Sequence, residues 1–212
     1  MPPSCLPRPS CVSRPSRPLQ GFSHYDVPVV IGGSAMKSTV MFASIVLLGA
    51  FVAAPQAQQI TKPTVAGVTN LSKLETTVAC AGATGPEAMP DIKKMGFVSV
   101  INLRQASEPD TNIPAAEAAA KAVGLKYIHV PFNAAEPDPA VVDRFLAAIR
   151  QPGNEPAFIH CGSANRASAM WLLKRVQIDH WDVAKAMTEA EALGLTSAPL
   201  KKFALEYIQT HK

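Results

Sequence analysis

The 212 residues carry 20 Lys and Arg against 16 Asp and Glu, with four cysteines. Arg8, Arg14, Arg17 and Lys37 lie before residue 58, opposed there only by Asp26, so the chain from residue 58 on holds 16 basic and 15 acidic side chains and two cysteines. Near-neutrality excludes a basic surface of the kind that seeks nucleic acid, and two cysteines exclude a disulfide scaffold.

From Met1 to Ala35 the sequence is rich in Pro, Ser and Arg and has no hydrophobic period, so 1–35 reads as an untranslated or disordered extension. Met36 and Lys37 open an uncharged apolar run, Val40 to Ala54, that leaves through small residues. That is the layout of a secretory signal peptide over 36–57, with translation starting at Met36. An uncleaved anchor behind a genuine extension is the alternative, although about 15 apolar residues is short for a membrane span. Cleavage predicts a periplasmic or secreted protein without stable membrane insertion. Residues 58–72 read as a lead-in, and 73–212 as one domain long enough for a sizeable core.

Within that domain Thr76 to Ala81 is a short strand, followed by turn signals at Gly82 and Gly85-Pro86. A helix with Met89, Ile92 and Met95 on one side ends at Gly96. Phe97 to Leu103 is an apolar, β-branched run that suits a strand covered on both faces. An Ala-rich helix runs from Pro114 to Gly124, and Leu125 to Val130 is the next strand. Asp138-Pro139 opens a helix with Val142, Phe145, Leu146 and Ile149 at i, i+3, i+4 and i+7. Ala157 to His160 is the last strand, and three helical patterns follow it. Trp171 and Trp181 fall in them and read as packing residues. Strands alternating with helices, then helices alone, predict an α/β fold with a mostly parallel central sheet flanked by helices.

The chemistry concentrates at the carboxyl end of that last strand, where ligands of open α/β sheets collect. There Phe158-Ile-His-Cys-Gly-Ser-Ala-Asn-Arg166 sets a thiol, Cys161, before the small residues Gly162, Ser163, Ala164 and Asn165. Their backbone N–H groups can curl round an oxyanion, the next helix adds its positive end, and Arg166 can grip two oxygens of one phosphate. Thiolates form in such surroundings and are the nucleophilic form of cysteine. His160 either tunes the loop or is a strand-end core residue, and Arg104 either lines the pocket or is solvated. Cys80, ending another strand, is a core thiol or a partner for Cys161. The sequence shows no metal-ligand spacing, dinucleotide fingerprint or Walker-type loop, so no metal and no cofactor is predicted.

His160-Cys161 with Arg166 behind a loop of small residues resembles the signature loop of the protein tyrosine and dual-specificity phosphatase superfamily. The resemblance is closer to the bacterial phosphatase-like domain found fused to β-lactamase-like hydrolases. Gly96-Phe-Val-Ser-Val-Ile-Asn-Leu-Arg104, Tyr127-Ile-His-Val-Pro131 and Glu191-Ala-Leu-Gly-Leu195 support it, over about residues 70 to 210.

The resemblance implies a dual-specificity-phosphatase-like fold and hydrolysis of phosphate monoesters through a phosphocysteine on Cys161, held by Arg166 and the loop amides. The substrate would be a phosphorylated small molecule or phosphoprotein. An acid from the loop after Val130 would protonate the leaving oxygen, with Glu136 ranked first and Asp138, a natural helix cap, second. Two departures stand out. Four residues, not five, separate Cys161 from Arg166, a length that also resembles the persulfide-carrying loop of rhodanese-like sulfurtransferases. The hydroxyl residue after the arginine is Ala167 here, with Ser168 one place later, which leaves a weak anion-binding or redox-sensing pseudo-phosphatase as a further alternative. Ala164 stands where the family's loop has glycine, which suits a position without positive φ.

Overall fold

A computed structural model describes residues 59–211. The extension expected at 1–35 and the signal segment expected at 36–57 lie outside the described residues. The strands are β1 (Ile60–Thr61), β2 (Ser72–Leu74), β3 (Val78–Ala81), β4 (Ser99–Asn102), β5 (Lys126–His129) and β6 (Ala157–His160). The α-helices are α1 (Met89–Lys94), α2 (Ile113–Ala122), α3 (Pro139–Arg150), α4 (Asn165–Gln177), α5 (Val183–Ala192) and α6 (Ala198–Thr210). One sheet runs in the order β1-β2-β3-β6-β4-β5. Its four-strand centre, β3 to β5, is parallel, and β1 and β2 join antiparallel at one edge. The expected α/β architecture with a mostly parallel sheet is therefore the observed one.

Every residue of β3, β4 and β6 is buried. That accounts for the continuous apolar runs in the sequence, since strands covered on both faces have no polar side to alternate with. Successive residues still serve opposite layers. Phe158 packs with Phe97, Val100, Ala116 and Ala120 under α1 and α2. Ile159 packs with Val142, Phe145, Trp171 and Leu172 under α3 and α4. The Phe97 and Phe158 rings meet edge to face at 5.8 Å, an arrangement worth about 0.5–1.5 kcal/mol beyond the area it buries.

Helix ends follow the chemistry of their sequences. Asp138 accepts the N–H of Ala140 at 2.9 Å and so caps α3, and Asn112, Asp182 and Ser197 do the same for α2, α5 and α6. α4 is locked to α5 by Glu189, which accepts from Trp171 Nε1 at 2.6 Å and Arg175 Nε at 2.7 Å. Trp171 is fully buried in α4, whereas Trp181, expected in a helix, lies in the connection between α4 and α5, where the Arg175 guanidinium sits 4.1 Å from the centre of its ring; both serve as packing residues.

The stretch read as a lead-in, 58–72, departs from expectation. It contributes β1, whose Ile60 and Thr61 pair with Leu74 and Lys73 of β2, and Val68 bridges to Thr84. Strands of two and three residues are too short to show a period. They exist because the edge of β3 offers unpaired backbone groups and because Leu71 and Leu74 are buried beside it. β3 itself begins at Val78, not Thr76. Glu75, at φ +47, closes the hairpin from β2, and Thr77 N–H donates to Leu74 O at 2.9 Å.

Candidate active site

β6 delivers His160 and Cys161 to opposite layers by the same alternation. Cys161 belongs to the core under α3 to α6, and its N–H donates to Ala81 O at 3.1 Å, beyond the last paired residues of the β3–β6 ladder. Gly162 and Ser163 are exposed, and Ser163 bridges to Gly82. Ala164 then turns the chain into α4 with φ +75 and ψ −21. The loop thus needs the positive φ that its alanine argued against, at a cost of roughly 1–2 kcal/mol.

Two contacts hold the strained residue in place. Gly194, at φ +120, packs so close that a β-carbon on it would sit 3.3 Å from that of Ala164. Asn165 Oδ1 accepts the N–H groups of Thr196 at 2.8 Å and Ser197 at 2.7 Å, which pins the α5–α6 connection to the loop. Asn165, expected to offer its backbone N–H to an oxyanion, uses its side-chain oxygen for this clamp. α4 carries no side-chain cap. Its first bond runs from Ser168 N–H to Ala164 O at 2.9 Å, so the N–H groups of Asn165, Arg166 and Ala167 have no acceptor within the helix. They form a positive end beside the thiol.

Arg166 crosses from α4 over the carboxyl ends of β4 and β5. Its Nη1 donates to Leu103 O at 3.1 Å and Phe132 O at 2.8 Å, and Nη1 and Nη2 grip the two oxygens of Glu108 at 2.6 and 2.7 Å. Burial opposes the charge of Arg166. Its bonds to Glu108 and the adjacent Cys161 sulfur outweigh that cost, and its pKa is raised. Partial burial would raise the Glu108 pKa, yet hydrogen bonds from Arg166, from the Gln105 N–H at 2.8 Å and from Arg104 hold it down at about 2. Glu108 is therefore ionised, and its work is to fix the guanidinium. Nothing in the sequence joins it to Arg166, 58 positions further on; its sole trace is an acidic residue four places after Arg104.

A cleft of about 480 Å³ opens over this pair. It is lined by Gln105 and Glu108, by Asn133, Ala134 and Ala135 of the loop after Val130, and by Ser163, Asn165, Arg166, Ser197 and Leu200. Glu136 and Asp138 are not among the lining residues; both are exposed, and Asp138 is engaged with Ala140 as the α3 cap. The loop after Val130 thus brings an amide and two methyl groups to the cleft lining, and the chain's exit into α3 uses Asp138 to start the helix.

The remaining expected residues lie deeper. His160 is buried on the α2 side with Asn102, Arg104 and Tyr127 around a separate small cavity. Burial, with Arg104 and Arg166 nearby, pushes its pKa down to about 3, so the ring is neutral. Arg104 is buried as well and binds Glu108 Oε2 at 3.3 Å and Pro109 O, acting behind Arg166 and off the cleft wall. Ser168 is fully buried, with its hydroxyl against Cys80. Burial pushes the Cys80 thiol well up, and Cys80 and Cys161 are both free and buried. Among the described residues no three His, Cys, Asp or Glu side chains group to hold a metal ion.

The chain is similar to known proteins in sequence family and in fold. A family model described as "Beta-lactamase hydrolase-like protein, phosphatase-like domain" matches residues 70–178. No sequence match was found among curated proteins. A DUF442 protein from Shewanella putrefaciens CN-32 is similar in structure at a TM-score of 0.57 and 22% identity, over 69% of this chain and 93% of that one. TpbA of P. aeruginosa aligns at a TM-score of 0.54 and 16% identity, over 75% and 94%. The catalytic core of the PP-IP phosphatase SIW14 from S. cerevisiae aligns at 0.54 and 16%, over 70% and 89%. At these identities the likeness establishes a shared fold.

Proposed function

The chain belongs to the family of phosphatase-like domains of beta-lactamase hydrolase-like proteins, and from that premise we propose that it is an exported, cysteine-dependent phosphatase. Cys161 attacks phosphorus to form a phosphocysteine, and water then hydrolyses it. The loop amides from Gly162 to Arg166 and the guanidinium of Arg166 hold the transferring group. Glu108, Leu103 O and Phe132 O keep that guanidinium in place.

The observation that carries the reading is the buried Cys161 sulfur set against an anchored Arg166 at the uncapped start of α4, with Arg166 itself lining the cleft. The substrate is a phosphorylated small molecule or phosphoprotein. TpbA, which shares the fold, has been solved in a complex with pTyr. The near-neutral balance from residue 58 on gives nucleic acid no footing. Export rests on the basic start, apolar run and small-residue exit at 36–57, and amino-terminal sequencing of protein recovered outside the cytoplasm should find a start between about Pro55 and Ile60.

A second reading is favoured by the four-residue spacing between Cys161 and Arg166 and by the amide and methyl groups of Asn133, Ala134 and Ala135 in the cleft lining. Persulfide transfer through Cys161 releases an anion such as sulfite and needs no proton donor. One pair of assays on the purified protein separates the two. Turnover of an aryl phosphate that is blocked by vanadate and lost in Cys161→Ser and Arg166→Ala supports the phosphatase. Thiosulfate turnover without phosphatase activity replaces it with the sulfurtransferase. Inactivity in both with oxyanion binding retained identifies a pseudo-phosphatase.

A further inference from the structure

Breaking a phosphate ester puts negative charge on the departing oxygen, and the residues that share the cleft with the cysteine loop decide what becomes of it. Asn133, Ala134 and Ala135 line the same cleft as Ser163 and Arg166. Asn133 Oδ1 accepts the Ala135 N–H at 3.1 Å, which assigns the amide its orientation: the oxygen is spent on the backbone, and among the described residues the Nδ2 N–H groups have no protein partner. Of the titratable groups nearby, Glu108 is bound to Arg166 through both oxygens, Asp138 caps α3, His160 faces the cavity on the α2 side, and Glu136 is exposed, next to the lining residue Ala135.

We infer that Asn133 occupies the place of the general acid, so that the leaving oxygen departs as an anion held by the Asn133 amide and the substrates are phosphates of acidic leaving groups. Aryl phosphates, acyl phosphates and phosphoanhydrides are of this class; simple alkyl phosphates are not. The inference rests on the phosphatase reading of the site. As the Cys161 sulfur forms its bond to phosphorus, the bond from phosphorus to the leaving oxygen breaks and its electron pair stays on that oxygen. The oxygen takes a proton from solvent after release. Water then attacks the phosphocysteine, the thiolate leaves, and the proton lost by water passes to solvent.

The test compares an aryl and an alkyl phosphate with the full exported chain. General acid catalysis contributes about 10²–10⁴-fold, so kcat/KM should fall by at least roughly 10³-fold from aryl to alkyl phosphate. Asn133→Asp keeps an acceptor for the Ala135 N–H and adds a proton donor. It should raise alkyl phosphate turnover by on the order of tenfold at acid pH, with a new basic limb in its pH profile that wild type lacks. Asn133→Ala should lower kcat on the aryl phosphate by about tenfold with little change in KM, since the amide acts on charge that develops only in the transition state. Comparable turnover of both phosphates by wild type, or loss of a basic limb in Glu136→Gln or Asp138→Asn, overturns the inference alone. Absence of turnover on the aryl phosphate as well overturns the phosphatase reading and the inference with it.

Discussion

Replacing Glu108 with Gln removes the charge that anchors Arg166 while keeping the side chain's shape. The pair is bidentate at 2.6 and 2.7 Å, with side-chain exposures of 11% for Arg166 and 21% for Glu108. That places it between surface pairs, worth about 0.2–1 kcal/mol, and buried ones, whose disruption costs roughly 3–5 kcal/mol. We expect a loss of about 2 kcal/mol at pH 7, or roughly 5 °C in Tm for a domain of this size.

The pH dependence makes the prediction specific. The folded pKa of Glu108 is depressed to about 2 from an ordinary 4.5, so its stabilisation is complete above about pH 4.5 and disappears as pH falls towards 2. Urea unfolding of wild type and Glu108→Gln should therefore show a gap that is full at pH 7 and narrows below pH 4.5. At the acid end of that window the wild-type carboxyl is itself protonated and the two proteins should converge. A gap that stays constant from pH 7 to pH 2.5 would refute the ion-pair account. Affinity for vanadate should fall in the variant as well, because the guanidinium loses the partner that aims it.

His160 titrates in the same direction over a different range: its folded pKa of about 3 lies below the ordinary 6.5, so the stability linked to it is complete above about pH 6.5 and declines towards pH 3. Equilibrium unfolding of His160→Phe should lose less stability than wild type between pH 7.5 and 4.5; parallel losses would show that burial of this ring is not the cause. Ala164→Gly relieves the φ of +75 and should stabilise by about 0.5–1 kcal/mol after the entropy cost of glycine. Gly194→Ala, by contrast, forces a β-carbon to 3.3 Å from Ala164 at φ +120, and should cost about 1–3 kcal/mol. Thermal melts check both, and a stabilised Gly194→Ala would mean that the clamp on the loop is loose.

The central strands could be read from sequence because a doubly covered strand writes its burial as an apolar run, as Phe97 to Leu103 and Ala157 to His160 show. Helix limits could be read because Asp138, Gly96 and Pro114 act on neighbouring backbone. β1 and β2 escaped because two or three residues carry no period, and their pairing answers the edge of β3. Cys161 and Arg166 stood out because both belong to one short loop. Of the two carboxylates expected to supply the acid, Asp138 also caps α3 as its place before Pro139 suggests, Glu136 is exposed beside it, and the loop residues that line the cleft are Asn133, Ala134 and Ala135.

The sequence alone determined what depends on neighbours in the chain: the parallel α/β core, the helix starts and stops, and a thiol followed by small residues and an arginine. Tertiary structure decided what depends on distant residues meeting. Glu108 became the anchor of Arg166 across 58 positions, Gly194 and Asn165 came to hold a left-handed alanine, and the Asn133 amide came to line the same cleft as Arg166. Charge pairing and close packing act through space at a few ångströms, and a one-dimensional pattern records them only when the partners are also close in sequence.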